Sequence, residues 1–131
     1  MIAQERLGQL NKISEAIIGA AIEVHKFLGP GLLESVYEVC LLEEMEQRGL
    51  KVQRQVHLPL YYKGKVTNKS FVIDILVEDE IILELKSVNW MPNVCEHQLM
   101  TYLKLTNKNL GLLINFNVPR LIDGVKRRLN G

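Results

Sequence analysis

Residues 71–88, "FVIDILVEDEIILELKSV", constrain the fold most. Two alternating apolar runs, 69–77 and 81–88, flank the acidic triplet Glu78-Asp79-Glu80, which predicts an antiparallel hairpin. If the triplet is the loop, Val77 pairs with Ile81, and counting back sets Asp74 opposite Glu84, with Lys86 on the same face as Glu84. The other face then carries Phe71, Ile73, Ile75 and Val77 against Ile81, Leu83 and Leu85, a continuous core surface. A two-residue loop would oppose Asp74 to Leu85 and separate the carboxylates. The apolar face favours the three-residue register, while the loop itself lacks the Gly or Asn that positive φ usually demands.

Two carboxylates facing each other across a sheet repel, with Cβ atoms about 4.5–5.5 Å apart. A divalent cation would relieve that repulsion, since Mg²⁺ accepts one or two carboxylates plus water and can activate water for attack on phosphorus. Lys86 would then orient the nucleophile or stabilise transition-state charge. The residues alone leave a second reading open, in which Lys86 neutralises one acid in a structural ion pair.

The remaining chain supplies the layers around this hairpin. Apolar residues at helical spacing predict one helix over Ser14–Leu28, ended by Gly29-Pro30, and a second from the following "GLLES" to Gly49. "VQRQVHLPLYYKG" alternates and contains Pro59, which predicts an edge strand. "MPNVCEHQLMTYLKLT" is expected to be helical, with Asn93 and Glu96 at capping-box spacing. "NLGLLINFN" reads as a buried strand and "VPRLIDGVKRRLN" as a short last helix. The predicted order is α-α-β-β-β-α-β-α.

With 131 residues, 47% hydrophobic and 24% charged, one domain spanning 1–131 is expected. No apolar run reaches the roughly 20 residues of a membrane span and no signal-peptide pattern opens the chain, so a cytoplasmic protein is expected. A net charge of +1 argues against coating nucleic acid by charge alone. Local basic groups remain, at Lys51, Arg54, Lys63, Lys65 and Lys69 and at Lys126, Arg127 and Arg128, and both are also ordinary solubilising surface. Cys40 and Cys95 read as packing residues, and the three histidines share no metal-ligand spacing.

Asp74, Glu84, Leu85 and Lys86 resemble the D…ExK signature of the PD-(D/E)XK nuclease superfamily. "GLLESVY", Gly31 to Tyr37, is similar to the motif of the GxxExxY family of small bacterial and archaeal proteins within it, and "IGAAIEVHKFLGPG", "LPLYYKGK" and "LLINFNVPRLIDG" also resemble that group. "QLMTY" gives Gln98 and Tyr102 the spacing of the QxxxY motif of RecB-type nucleases, and at i,i+4 they share a helix face. The resemblance implies a restriction-endonuclease-like core, a mixed sheet flanked by helices. It implies Mg²⁺ or Mn²⁺ held by Asp74 and Glu84 with Glu34 assisting, Lys86 as the catalytic lysine, and Gln98 and Tyr102 at the substrate phosphate and the lysine. On residues alone, the favoured readings are Glu34 as a first-turn acid stabilised by the helix dipole and Tyr102 as a core-edge aromatic.

The expected function is therefore metal-dependent hydrolysis of nucleic-acid phosphodiesters, with DNA the favoured substrate. Two alternatives stand beside it: a catalytically inactive nuclease-fold module binding nucleic acid or a protein partner, and a structural homo-oligomer joined by the hairpin charges.

Overall fold

The computed structural model describes residues 2–131. Its elements are α1 (Gln4–Leu28), α2 (Glu34–Gln47), β1 (Val52–Tyr62), β2 (Lys65–Val77), β3 (Ile81–Lys86), α3 (Val94–Thr106), β4 (Leu110–Asn115) and β5 (Val125–Leu129), with a 3-10 turn at Leu121–Gly124. The five strands lie in chain order in one sheet. Only β3 and β4 are parallel, and α3 makes the crossover that a parallel pair requires. Pro59 sits in β1, an edge strand, where its missing N–H leaves no ladder bond unmade on the open side.

Helices cover both faces. Leu10, Ile17, Ala20, Ala21 and Val24 of α1 and Tyr37, Leu41 and Met45 of α2 bury against Ile75, Val77, Ile81, Leu83, Leu85, Leu112 and Ile114. On the other face Leu99, Tyr102 and Leu103 of α3 pack on Leu76, Ile82 and Leu113. β3 and β4 are covered on both sides, which is why they read as near-continuous apolar runs.

α1 begins ten residues before the expected Ser14, because Leu10 and Ile13 extend the three-and-four spacing that continues at Ile17 and keep the added turns on the core. It stops at Gly29, whose φ of 74° suits glycine and whose N–H reaches the His25 carbonyl at 2.8 Å. The expected last helix is instead the 3-10 turn followed by β5. β4 would otherwise present an unpaired edge, and Val125 to Leu129 zip onto it antiparallel. Their side chains alternate accordingly: Lys126 and Arg128 reach Glu96 on α3, and Arg127 reaches Asn11 on α1. This use of Glu96 also replaces the expected capping box, since Asn93 is helical (φ −58°, ψ −26°) and its side chain caps nothing.

The predicted core face of β2 changes sides part-way. Ile75 and Val77 pack beneath α1 and α2 as expected, but Phe71 and Ile73 pack with Leu76, Ile82 and Tyr102 on the α3 side. β1 makes the same change, from Val52 on the first side to Val56 and Leu58 on the second. The break lies between Arg54↔Ile75 and Val56↔Ile73, where Gln55 adopts φ 49° opposite Asp74. Glu38 of α2 braces this irregularity, accepting from Arg54 Nε at 3.1 Å and from Gln55 Nε2 at 3.3 Å.

Where the turn before β5 passes β4, a Cβ on Gly124 would lie 2.1 Å from the Asn115 carbonyl oxygen, which is backbone and cannot rotate away. Gly124→Ala should lower stability by about 2 kcal/mol or more by urea unfolding. A change below about 0.5 kcal/mol, the range of ordinary surface substitutions, would show that β5 is not held this tightly to β4.

Candidate active site

The site is built from the β2–β3 hairpin outward. Val77↔Ile81, Leu76↔Ile82 and Ile75↔Leu83 pair as the three-residue loop requires. Glu78 and Asp79 both take φ above 50°, an arrangement unfavourable to these residues. The loop is held from outside: Glu78 N–H donates to the Lys51 carbonyl at 2.8 Å, Lys108 donates to the Asp79 carbonyl at 2.8 Å, and Arg6 of α1 pairs with Glu80. The register thus rests on the core face, on two cations, Arg6 and Lys108, and on the Lys51 backbone.

Beyond Ile75↔Leu83 the backbone ladder ends and two carboxylates take over. Leu85 N–H donates to Asp74 Oδ2 at 2.8 Å, and Asp74 N–H lies 3.3 Å from Glu84 Oε1. Each acid therefore occupies a hydrogen-bonding place in its neighbour's strand. Glu84 is only 5% exposed. Burial, and then the adjacent Asp74 charge, push its carboxyl up to about 9, so at neutral pH it holds its proton. Lys86 only weakly opposes this and makes no ion pair with either acid among the described residues. The structural-ion-pair reading of Lys86 therefore has no contact to rest on.

Tyr102 joins the pair from α3. It is almost fully buried, tilted against Phe71 at 5.7 Å, and its phenol is pushed above the ordinary tyrosine value by burial and then by Glu84 and Asp74. It is at once a core aromatic and a neighbour of the acids. Gln98, one turn earlier on α3, is exposed. Glu34 stands apart, exposed at the start of α2 beside Leu32, Leu33, Ser35 and Ser87. No group of three or more His, Cys, Asp or Glu residues suited to a metal forms among the described residues, so Asp74 and Glu84 stand as a pair.

Residues outside the expected acid, lysine and glutamine set hold this end of the sheet, among them Asn115 and Ser87, which the sequence did not single out. Asn115, paired with Lys86 across the parallel ladder, accepts from Val88 N–H at 3.1 Å and donates to the Val88 carbonyl at 3.0 Å, fastening the chain just after Lys86. Ser87 Oγ donates to the Leu32 carbonyl at 2.5 Å. Tyr37 is fully buried, stacked on Phe116 at 4.4 Å, and its hydroxyl donates to the Gly29 carbonyl at 2.6 Å while accepting from Leu32 N–H. It shapes the loop that precedes Glu34. The one signal for Asn115 was a polar residue ending an otherwise apolar run.

A family model described as the PD-(D/E)XK nuclease superfamily matches residues 11–128. Comparisons with curated proteins and with solved structures give no match.

The proton on Glu84 has a consequence for stability. Its folded pKa lies above the unfolded value, so between about pH 4.5 and 9 the folded state holds a proton that the unfolded chain has released, and stability falls as pH rises through that window. The slope from this group approaches about 1.4 kcal/mol per pH unit. Urea unfolding in chelator from pH 5.5 to 8.5 should show the parent losing stability more steeply than Glu84→Gln. Parallel pH profiles would mean that Glu84 ionises normally.

Proposed function

The chain belongs to the PD-(D/E)XK nuclease superfamily, and on that premise we propose that it hydrolyses phosphodiester bonds of nucleic acid, DNA foremost, with Mg²⁺ or Mn²⁺. Within the superfamily we read "GLLESVY" and "QLMTY" as marks of the GxxExxY group with a RecB-type QxxxY motif, and residues 1–131 as one nuclease-like domain. One observation carries the reading: a buried carboxyl beside a second carboxylate, with no protein cation paired to either.

The donor set fits a hard divalent ion. Nucleases of this superfamily generally use divalent metals. Two carboxylates without a third protein ligand suit Mg²⁺ or Mn²⁺, which keep several waters, better than the four-ligand cage of structural zinc. Asp74 and Glu84 would hold the ion, which supplies Lewis acidity toward a phosphodiester oxygen and lowers the pKa of water. Glu84 must give up its proton to serve, so alkaline pH favours the competent state.

Lys86 follows Glu84 by two residues on the same strand face, and Asn115 steadies the chain just beyond it. Without an ion pair, its ammonium is free to orient the nucleophile or meet charge developing on phosphorus. Tyr102 screens the acids from solvent and, with Gln98 on the exposed turn of α3, faces incoming phosphate. Glu34 acts at the rim, through water.

The deciding experiment is cleavage of a plasmid and of an end-labelled duplex with Mn²⁺. The parent should cut, Glu84→Gln should not, and Lys86→Ala should lose about 10²–10³-fold in turnover. Mn²⁺ should raise the parent's unfolding temperature, and Lys86→Ala should keep that increment while Glu84→Gln loses it. A parent that neither cuts nor responds to Mn²⁺ is a non-catalytic nuclease-fold module. The Asp74–Leu85 hydrogen bond favours that second reading by giving the aspartate a structural task.

A further inference from the structure

The charge of this chain is segregated along its length. Between Gln47 and Ile73 there is no acidic residue. In the same stretch β1 and β2 outrun their neighbour, because β3 pairs only with Ile75–Val77 of β2. Residues before Ile75 in β2 therefore have β1 as their one sheet partner, and the two strands continue as a free two-stranded ribbon.

The base of this ribbon is anchored, with Val56, Leu58 and Phe71 packed on the α3 cluster. Its tip is not. Tyr61, Tyr62 and Val66 are 63%, 64% and 64% exposed, and Lys63, Lys65 and Lys69 are exposed. None of these lysines meets a carboxylate among the described residues, and the Lys63 ammonium lies 5.5 Å over the Tyr62 ring. Several basic groups elsewhere are paired: Arg54 with Glu38, and Lys126 and Arg128 with Glu96. The ribbon tip thus sets three lysines without a carboxylate partner beside two exposed tyrosines.

We propose that the β1–β2 ribbon is a recognition arm that enters the major groove of duplex DNA, an inference that rests on the nuclease reading for the choice of nucleic acid. The placement of the two rings selects the duplex. Tyr61 pairs with Val66 and Tyr62 with Lys65, so the two rings project from opposite faces of the ribbon. A platform that stacks successive bases of a single strand needs its rings on one face. A finger exposed on both faces matches a concave groove, and the major groove of B-form DNA, about 12 Å wide, admits a two-stranded ribbon.

The groove of A-form RNA is too deep and narrow for this, which selects DNA. Tyr62 and Lys65 pair beyond a register irregularity at Pro59/Tyr61, on the same two strands that carry Gln55 and Asp74. Seven residues separate Gln55, beside Asp74, from Tyr62, about 23 Å of strand. That spans roughly seven base pairs at about 3.4 Å each, so an arm gripping the duplex there would present a phosphodiester to the acid pair.

The test is fluorescence anisotropy in chelator, which separates binding from cleavage. Probes are a labelled 20-base-pair DNA duplex, the RNA duplex of the same sequence and one DNA strand. The parent should bind the DNA duplex tightest. Combined Lys63→Ala, Lys65→Ala and Lys69→Ala should weaken it at least tenfold and flatten the dependence of log Kd on log salt by about two to three, near 0.9 per lost phosphate contact. Tyr61→Ala with Tyr62→Ala should also weaken duplex binding, and unfolding temperatures should be unchanged because the tip packs on nothing.

Preference for the single strand or for RNA, an unchanged salt slope, or no nucleic-acid binding by the parent overturns the proposal. So does a dimeric parent that the tyrosine variant makes monomeric at unaltered DNA affinity. If the parent cuts DNA and the lysine variant binds and cuts equally, the arm fails and the nuclease reading stands. If the lysine variant loses duplex binding but the parent never cuts, the arm stands and the nuclease reading fails.

Discussion

At the level of Asp74 the β2–β3 ladder stops using backbone for its hydrogen bonds and uses carboxylates, and the architecture around it follows from that substitution. Leu85 N–H needs an acceptor inside the sheet, and Asp74 provides one at 2.8 Å. Asp74 N–H turns to Glu84 in return. The price is a buried like-charge pair, relieved in the metal-free protein by a proton on Glu84. A group that keeps its proton to about 9 is one that a cation can replace. Structural need and chemical opportunity coincide in one pair of side chains.

The surroundings hold that unfavourable pair in place. Glu38 braces the Gln55 irregularity opposite Asp74; Arg6, Lys108 and the Lys51 backbone grip the hairpin loop; and Asn115 fastens the chain beyond Lys86. Tyr37 and His25 perform the same service on the α1–α2 side. The tyrosine hydroxyl ties the Gly29–Leu32 turn, and His25 Nε2 lies 2.8 Å from the Val118 carbonyl. Much of the polar inventory therefore supports geometry, with few residues left to meet a substrate. In "GLLESVY" the buried tyrosine is the structural member, and the glutamate lies among exposed residues.

The distribution of charge separates the two ends of the molecule. Where cations meet acids, as at Glu96 and Glu38, they join elements of the fold. At the tip of the β1–β2 ribbon Lys63, Lys65 and Lys69 meet no carboxylate among the described residues. A net charge of +1 conceals this, because whole-chain charge averages over surfaces that pair internally and one that does not.

The sequence by itself determined the hairpin register, the alternation of helices and strands through β4, and the edge position of β1. Each depends on local periodicity or on proline, which act over a few residues. The spacing of Asp74, Glu84 and Lys86 was legible for the same reason, but the regular ladder ends at Ile75↔Leu83, and side-chain hydrogen bonds join the strands beyond it. Tertiary structure decided what depended on partners distant in the chain. Val125–Leu129 became a strand because β4 offered an open edge, and Glu96 left its helix terminus because two cations of β5 approached it. The face change at Asp74 followed from Gln55, nineteen residues earlier, adopting positive φ against Glu38 of another helix. The proton on Glu84 was equally beyond the sequence, since a carboxyl's pKa is set by burial, and burial is known only when every element covering the sheet is in place.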